Sequence, residues 1–419
     1  MVLVKDFTHA QSLFEAFILP AKPAPRYTLK RMRLLMAYLG NPQNTLKIIH
    51  VAGTSGKTST AYYAAALLKS SGFTVGLSTS PHIDSIAERA QINLQIIPET
   101  LYCQELGIFL DLLEKSNITP SYFEALVAFS FWLFERQGVD YTVIEVGLGG
   151  LLDSTNVISR DDKIGIITDI GYDHTEILGS TLPEIAAQKA GIIHKANRVF
   201  MHAQDSEIMN VIRSKVETEG ASLNIIESDQ VLQTTADFQL LPAFQQRNFS
   251  LAYGAVKTLI SQPENIKGAL ATYVPARMEA VQWASKTVIL DGSHNEQKMA
   301  ALVEAMESKY PAKSVVLLVS FGKNKSLSIK ANLTLLRTIS SHIIITNFDL
   351  GKNNMRTPID AQNISLAARE LGFTAELKDN PVEAFEYALK QSEAIVLVTG
   401  SFYLLNHIRP VVAHELHHQ

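Results

Sequence analysis

The chain has one cysteine, Cys103, which excludes an internal disulfide and fits a reducing compartment. Cys103 stands in ETLYCQELGIFLDLLEK, an amphipathic helical pattern, so a buried apolar role is expected for it. No apolar run reaches the roughly 18 residues that a membrane span needs, and no basic-then-apolar leader is seen. Neither membrane insertion nor secretion is therefore expected, and the expected location is the cytoplasm. Positive charge is not in excess: 37 Lys and Arg stand against 41 Asp and Glu, a formal charge of −4. Nucleic acid is not an expected partner of such a chain. The histidines of the HELHHQ tail have no second ligand cluster to join, and the tail reads as a solvated end.

What is present is a chain of 419 residues, enough for two or three domains that each bury a core. Nearly half of it is hydrophobic, as in a globular enzyme. A short amphipathic helix is expected over 7–19, a proline-broken loop over 20–27, and a second helix that ends at Gly40-Asn41-Pro42. From about residue 50, short apolar runs alternate with helical patterns at 100–115 and 122–137: FTVGLSTS, YTVIEVG, KIGIITDIG, NRVFMHA. Strands buried on both faces and separated by helices mark a parallel sheet. Composition shifts over 229–270, and 271–286 lacks a period and reads as a linker. A second alternating series follows, with TVILDGSH, SVVLLVSFG, HIIITNF and AIVLVTGS as its strands. The fold class is α/β: an N-terminal P-loop parallel-sheet ATPase domain with N-terminal helices and linker (1–280), then a smaller Rossmann-like α/β domain (281–419).

The densest signal lies at 48–68, IIHVAGTSGKTSTAYYAAALL, an apolar strand running through a turn into an Ala-rich helix. Backbone N–H groups bared in such a turn, with the positive end of the helix behind them, suit phosphate. Lys57 adds a charge for the outer phosphates, and the hydroxyl of Thr58 or Ser59 can reach Mg²⁺. The usual pattern wants a glycine at Val51; the loop here is the shorter Gly53-Thr54-Ser55-Gly56-Lys57-Thr58. Glu145 ends an otherwise apolar strand, where an ionised carboxylate costs several kcal/mol unless paired or metal-bound. Metal ligation is the reading preferred for it. Asp173-His174 again follows an apolar strand, and beside the other metal-directed groups His174 becomes a candidate ligand. Ser80 by itself is a turn residue, and Lys189 a solvated helix lysine. In the second domain Asp291, His294, Asn295 and the turn Thr399-Gly400-Ser401 follow buried strands, as site residues or as polar turns with an N-cap.

Eight motifs in order carry a resemblance over nearly the whole chain. HVAGTSGKTS resembles HVAGTNGKGS of the folylpolyglutamate synthases and dihydrofolate synthases, members of the Mur ligase superfamily. IEVGLGGLLDSTN resembles VEVGLGGRLDATN, and TDIGYDHTEILGSTLPEIAAQKAGII follows the stretch NIGLDH…LG…I…KAGI. GLSTSPHIDSIAERAQIN, FQQRN, PAR, DGSHN and VTGSFYLLNHIR resemble the other five.

The resemblance implies a reaction in which ATP phosphorylates a folate-type carboxylate and L-glutamate then attacks the acyl phosphate. It implies that Gly53, Thr54, Ser55, Gly56, Lys57, Thr58 and Ser59 cradle the triphosphate. Ser80 and Glu145 would hold one Mg²⁺, and Glu145 with His174 a second. Lys189 matches a lysine that the family carbamylates. Asn248, Arg277 and Asp291 would contact the nucleotide from the linker and second domain; His294 and Ser401 match positions on the glutamate side. The implied partners are dihydropteroate or a reduced folate, L-glutamate and ATP; a monomer is expected. Departures are Thr58 for Gly, Ser55 for Asn, Leu151 for Arg, Phe244 for His, and Asn324-Lys325 where an Asp flanks a Lys. They leave open a Mur-type amide ligase for another pterin or coenzyme acid, or for a muropeptide.

Overall fold

The computed structural model describes residues 2–18, 28–260, 266–322, 328–348 and 357–416, without the side chains from 414 onward. The loop expected at 20–27, the departures at Asn324 and Lys325, and the histidine tail's side chains lie outside the described residues. Two compact units emerge, Met1–Leu241 with Gln245–Thr272, and Pro242–Phe244 with Tyr273–Gln419.

The first unit is built on eight strands: β1 Ile48–Ala52, β2 Val75–Ser78, β3 Gln91–Ile92, β4 Gln95–Ile96, β5 Tyr141–Glu145, β6 Ile164–Ile167, β7 Arg198–Met201 and β8 Ser222–Ile225. Their order is β4-β3-β2-β5-β1-β6-β7-β8. All pairings are parallel except β2 with β3 and β3 with β4. Strand β1 lies between β5 and β6, with Val51 facing Glu145 on one side and Ile166 on the other. The carboxyl ends of three strands therefore meet at one place. Chain order reverses there, the point at which open parallel sheets bind ligands.

Helix Lys57–Ser70 buries Ala61, Ala64, Ala65 and Ala66 along with Leu67 and Leu68. Small side chains let this helix lie close to the sheet. Helices Glu99–Ser116 and Tyr122–Arg136 enclose an aromatic cluster of Tyr102, Phe109, Phe129 and Trp132 with the N-terminal helix residue Phe14. Cys103 is buried on the same side, as its helical setting implies. No described helix is long and apolar enough to cross a membrane.

In the second unit β9 Glu279–Trp283, β10 Lys286–Leu290, β11 Val315–Val319, β12 His342–Thr346, β13 Thr374–Lys378 and β14 Ile395–Thr399 have the order β13-β12-β11-β14-β10-β9. The stretch 271–286 is not a plain linker. Strand β9 pairs antiparallel with β10, and it alternates buried and exposed residues as an edge strand does. Phe244, where the resemblance leads one to expect His, packs partly buried against this unit's core.

At the start of β12 the ring of His342 lies between two carboxylates, 2.8 Å from Glu393 and 2.9 Å from Glu376. Burial pulls its pKa down, but hydrogen bonds to Glu393 and Glu376 outweigh this and leave it raised. A raised pKa means that the stabilisation is complete below about pH 6.5 and is lost as pH climbs through the folded value. Thermal unfolding followed from about pH 6 to pH 9 should show the wild type losing stability that His342→Gln does not lose. Parallel stability curves would show that this triad contributes nothing.

Candidate functional site

The turn after β1 is shaped by two glycines. Gly53 has φ 151°, and a Cβ there would stand 1.8 Å from the Thr168 hydroxyl. Gly56 has φ 89°, and its Cβ would stand 2.2 Å from Asn248 Oδ1. Any side chain at either place would push out a neighbour. Thr54 and Ser55 donate their N–H groups to the Asp169 carbonyl at 2.8 and 3.1 Å, and the Thr54 hydroxyl donates to Gly171 O at 3.0 Å. Those two amides are thus spent on holding the loop, which narrows the cradle read from the sequence. The first bond of the following helix is Thr60 N–H to the Gly56 carbonyl. No side chain caps the helix, so its first-turn amides, from Gly56 to Ser59, precede that bond and are placed for an anion.

Lys57 Nζ donates to the Gly53 carbonyl at 3.1 Å, and Lys189 Nζ donates to the same oxygen at 2.9 Å. Lys189 is 2% exposed, so it is not the solvated lysine that its local sequence implies. Two ammonium groups on one oxygen at a helix N-terminus concentrate positive charge, which a phosphate complements. The close approach of Lys189's helix depends on the Gly-Leu-Gly-Gly turn after β5. Leu151 N–H donates to Gln188 O at 2.7 Å, and a Cβ on Gly150 would lie 2.6 Å from that same oxygen. Asp153 braces the turn by accepting from Leu148 N–H, Thr155 N–H and the Thr155 hydroxyl. Burial raises its pKa while these bonds oppose the shift. Leu151 itself is 42% exposed on this loop.

Glu145, 4% exposed, receives the Thr58 hydroxyl at 2.9 Å and the Ser80 N–H at 3.0 Å. Thr58, a departure from the resembled motif, thus gives its hydroxyl to the candidate metal carboxylate. Next to it the buried Ser59 hydroxyl has no hydrogen-bond partner. A buried carboxylate holding the Thr58 hydroxyl beside a candidate phosphate loop fits a hard oxygen-seeking cation. His174 has φ 51°, with Asp173 3.8 Å and Glu176 3.6 Å from its ring. Among the described residues no group of three or more His, Cys, Asp or Glu side chains could hold a metal ion.

Asn248 lies in helix Ala243–Val256 of the first unit, not in a linker, with its amide against Gly56. Arg277 and Asp291 belong to the second unit. The Arg277 guanidinium lies 4.7 Å from the Phe402 ring centroid. Asp291, buried, accepts from Met278 N–H, Ser293 N–H and the Ser293 hydroxyl. Burial pushes its carboxyl above the usual range, against the pull of Arg277. It braces the turn that carries Arg277, in which Ala276 and Met278 both have positive φ. His294 Nδ1 donates to Gly292 O at 2.7 Å, which leaves Nε2 to face Lys298 Nζ at 3.3 Å. Ser401 Oγ accepts from Tyr403 N–H at 3.1 Å. Phe402 touches both Arg277 and His294, since its ring also lies 5.9 Å from that of His294. The sequence reading missed Thr168, Asp169, Asp153 and Phe402. Only Asp153 left a trace, as an Asp before Ser-Thr-Asn in a capping position.

Residues 51–256 match the Mur ligase middle domain, and residues 276–402 the Mur ligase glutamate ligase domain. The chain is 32% identical to the dihydrofolate synthase/folylpolyglutamate synthase of Bacillus subtilis, over 91% of this chain and 94% of that one. It is 28% identical to the folylpolyglutamate synthase of Lacticaseibacillus casei, over 91% and 93% of the two chains. Among solved structures, E. coli FolC in complex with DHPP and ADP superposes with a TM-score of 0.84 at 25% identity, covering 99% of this chain and 100% of that one. Mycobacterium tuberculosis folylpolyglutamate synthase complexed with ADP gives 0.82 at 25% identity, over 97% and 98%.

Proposed function

As the chain belongs to the folylpolyglutamate synthase and dihydrofolate synthase family of Mur ligases, we propose that it joins L-glutamate to a folate-type carboxylate at the expense of ATP. The observation that carries this reading is the convergence of Lys57 and Lys189 on the Gly53 carbonyl at the mouth of an uncapped helix. A carboxylate oxygen of the acid attacks the γ-phosphorus, ADP leaves, and an acyl phosphate forms. The amine of glutamate then attacks the acyl carbon, phosphate leaves with the C–O electron pair, and the amine proton passes to solvent or a base.

Little covalent chemistry falls to the protein here. Positioning and charge neutralisation dominate phosphoryl transfer. The first-turn amides and Lys57 hold the triphosphate. Glu145, Ser80 and the hydroxyls of Thr58 and Ser59 form the donor set for Mg²⁺, and His174 is the candidate protein ligand, with Glu145, for a second ion. Mg²⁺ when bound neutralises charge on the transferring phosphoryl group. Lys189 either stays an ammonium directed at that charge or, carbamylated, becomes an anion toward the second cation. Arg277 and Asn248 are the proposed nucleotide contacts, with Asp291 bracing the turn of Arg277; His294 and Ser401 are the proposed glutamate side. The proposal places the enzyme in the cytoplasm as a monomer acting on small molecules.

ADP release that requires both L-glutamate and dihydropteroate or a reduced folate is the expected outcome of a coupled assay. Turnover with a UDP-muropeptide, and with no such pterin acid, would overturn the reading. Comparing dihydropteroate with tetrahydrofolate as the acid tells dihydrofolate synthesis from polyglutamate extension.

A further inference from the structure

Asp169 follows β6 and uses both its main chain and its side chain. Its carbonyl accepts from Thr54 and Ser55, holding the first half of the phosphate loop as an isolated bridge. Its carboxylate receives the Arg247 guanidinium as a fork: Nε lies 3.0 and 2.9 Å from the two oxygens, and Nη2 2.8 Å from one of them. The residue after Arg247 is Asn248, whose Oδ1 occupies the space where a Cβ on Gly56 would stand. Both sides of the loop are thus tied through one residue.

The helix that bears Arg247 is seated at other points too. His202 Nε2 lies 2.9 Å from Arg247 O, the Tyr63 hydroxyl donates to Gln245 at 2.9 Å, and Phe249 packs edge-on against Tyr63. The Tyr63 contacts hold it to the helix Lys57–Ser70, and His202 holds it to the end of β7; the fork ties it to the loop that precedes that helix. The ion pair is part-exposed, with 39% of the arginine side chain and 28% of the aspartate side chain accessible. The resembled motif reads NIGLDH where this chain has DIGYDH, so the carboxylate needed for a charged fork is a feature of this chain.

We propose that Asp169 and Arg247 are a positioning pair for the nucleotide. Together they set the helix of Asn248 against Gly56 and fix the direction of the first-turn amides. The inference rests on the reading of this loop as the ATP site. It predicts a loss confined to nucleotide affinity, because the two side chains engage each other and act through the loop and the Asn248 helix.

The test uses the full chain with Asp169→Asn, Arg247→Gln and the double variant. ADP affinity is read by calorimetry, beside KM for ATP, KM for the acid, and kcat. Asp169→Asn keeps the carbonyl acceptor and the side-chain shape, so folding is retained and only the charged fork is lost. Each single variant should weaken ADP binding and raise KM for ATP about ten-fold, with KM for the acid and kcat at saturating ATP within about two-fold. The double variant should be no worse than either single one. High salt should narrow the gap between wild type and Asp169→Asn. Unchanged ADP affinity in the folded variants, or losses that multiply in the double variant, would overturn the pairing. If the wild type binds no ADP, the nucleotide reading itself fails, and this inference with it.

Discussion

Lys189→Ala should cut turnover about a thousand-fold while ADP binding weakens no more than about ten-fold. The side chain is buried, and its Nζ donates to the Gly53 carbonyl at 2.9 Å. Removing it takes away one of two cations from the lip of the phosphate loop. Lys57, on the same oxygen, remains to hold the outer phosphates. A group that acts on the transferring phosphoryl is needed most in the transition state, so kcat should fall further than nucleotide affinity. The complementary variant, Lys57→Ala, should show the reverse bias, with the larger loss in ATP affinity. Measurement is by single-turnover phosphate release and ADP calorimetry on the same samples. Near-normal turnover in Lys189→Ala would remove the lysine from the mechanism. Complete loss of ADP binding would make it a brace for the loop and nothing more.

A second large effect is expected at Glu145. Glu145→Gln keeps the shape of the side chain but removes its charge. The carboxylate accepts from both Thr58 and Ser80; the amide can keep its oxygen on the Ser80 N–H and donate its N–H to the Thr58 hydroxyl, which accepts as well as donates. Local hydrogen bonding is therefore retained in this variant. The larger consequence would be the loss of the anionic ligand proposed for Mg²⁺. Turnover should fall about a hundred-fold or more, and the Mg²⁺ concentration for half-maximal rate should rise. ADP binding measured without Mg²⁺ should change little. If the Mg²⁺ dependence of Glu145→Gln matched that of wild type, Glu145 would be a structural acceptor rather than a ligand.

Parts of this site announce themselves in the sequence for physical reasons. A backbone phosphate cradle demands glycine at the places where a Cβ would collide, and Gly53 and Gly56 stand at such places. An ionisable residue at the end of an apolar strand needs a partner, which singles out Glu145. Buried parallel strands read as continuous apolar runs, so β1, β5 and β6 were legible as strands. The edge strand β9 was not, because it is half-exposed and alternates over only five residues. The short strands β3 and β4, two residues each, carry no period at all.

The sequence by itself determined the class of fold, the strand–turn–helix at 48–68 and, through its ordered motifs, the family. Those depend on local patterns: apolar runs, turn residues and their spacing. Only the tertiary structure decided that Lys189 shares an oxygen with Lys57, since Lys189, 136 residues from Gly53 in the chain, reaches it through sheet order and glycine packing. It also decided that Thr54 and Ser55 spend their amides on Asp169, and that Asn248 stands with the loop in the first unit. Backbone acceptors such as the Asp169 carbonyl are the same in every residue, so no side-chain pattern can advertise them. Strand order places them, and strand order is a property of the folded chain.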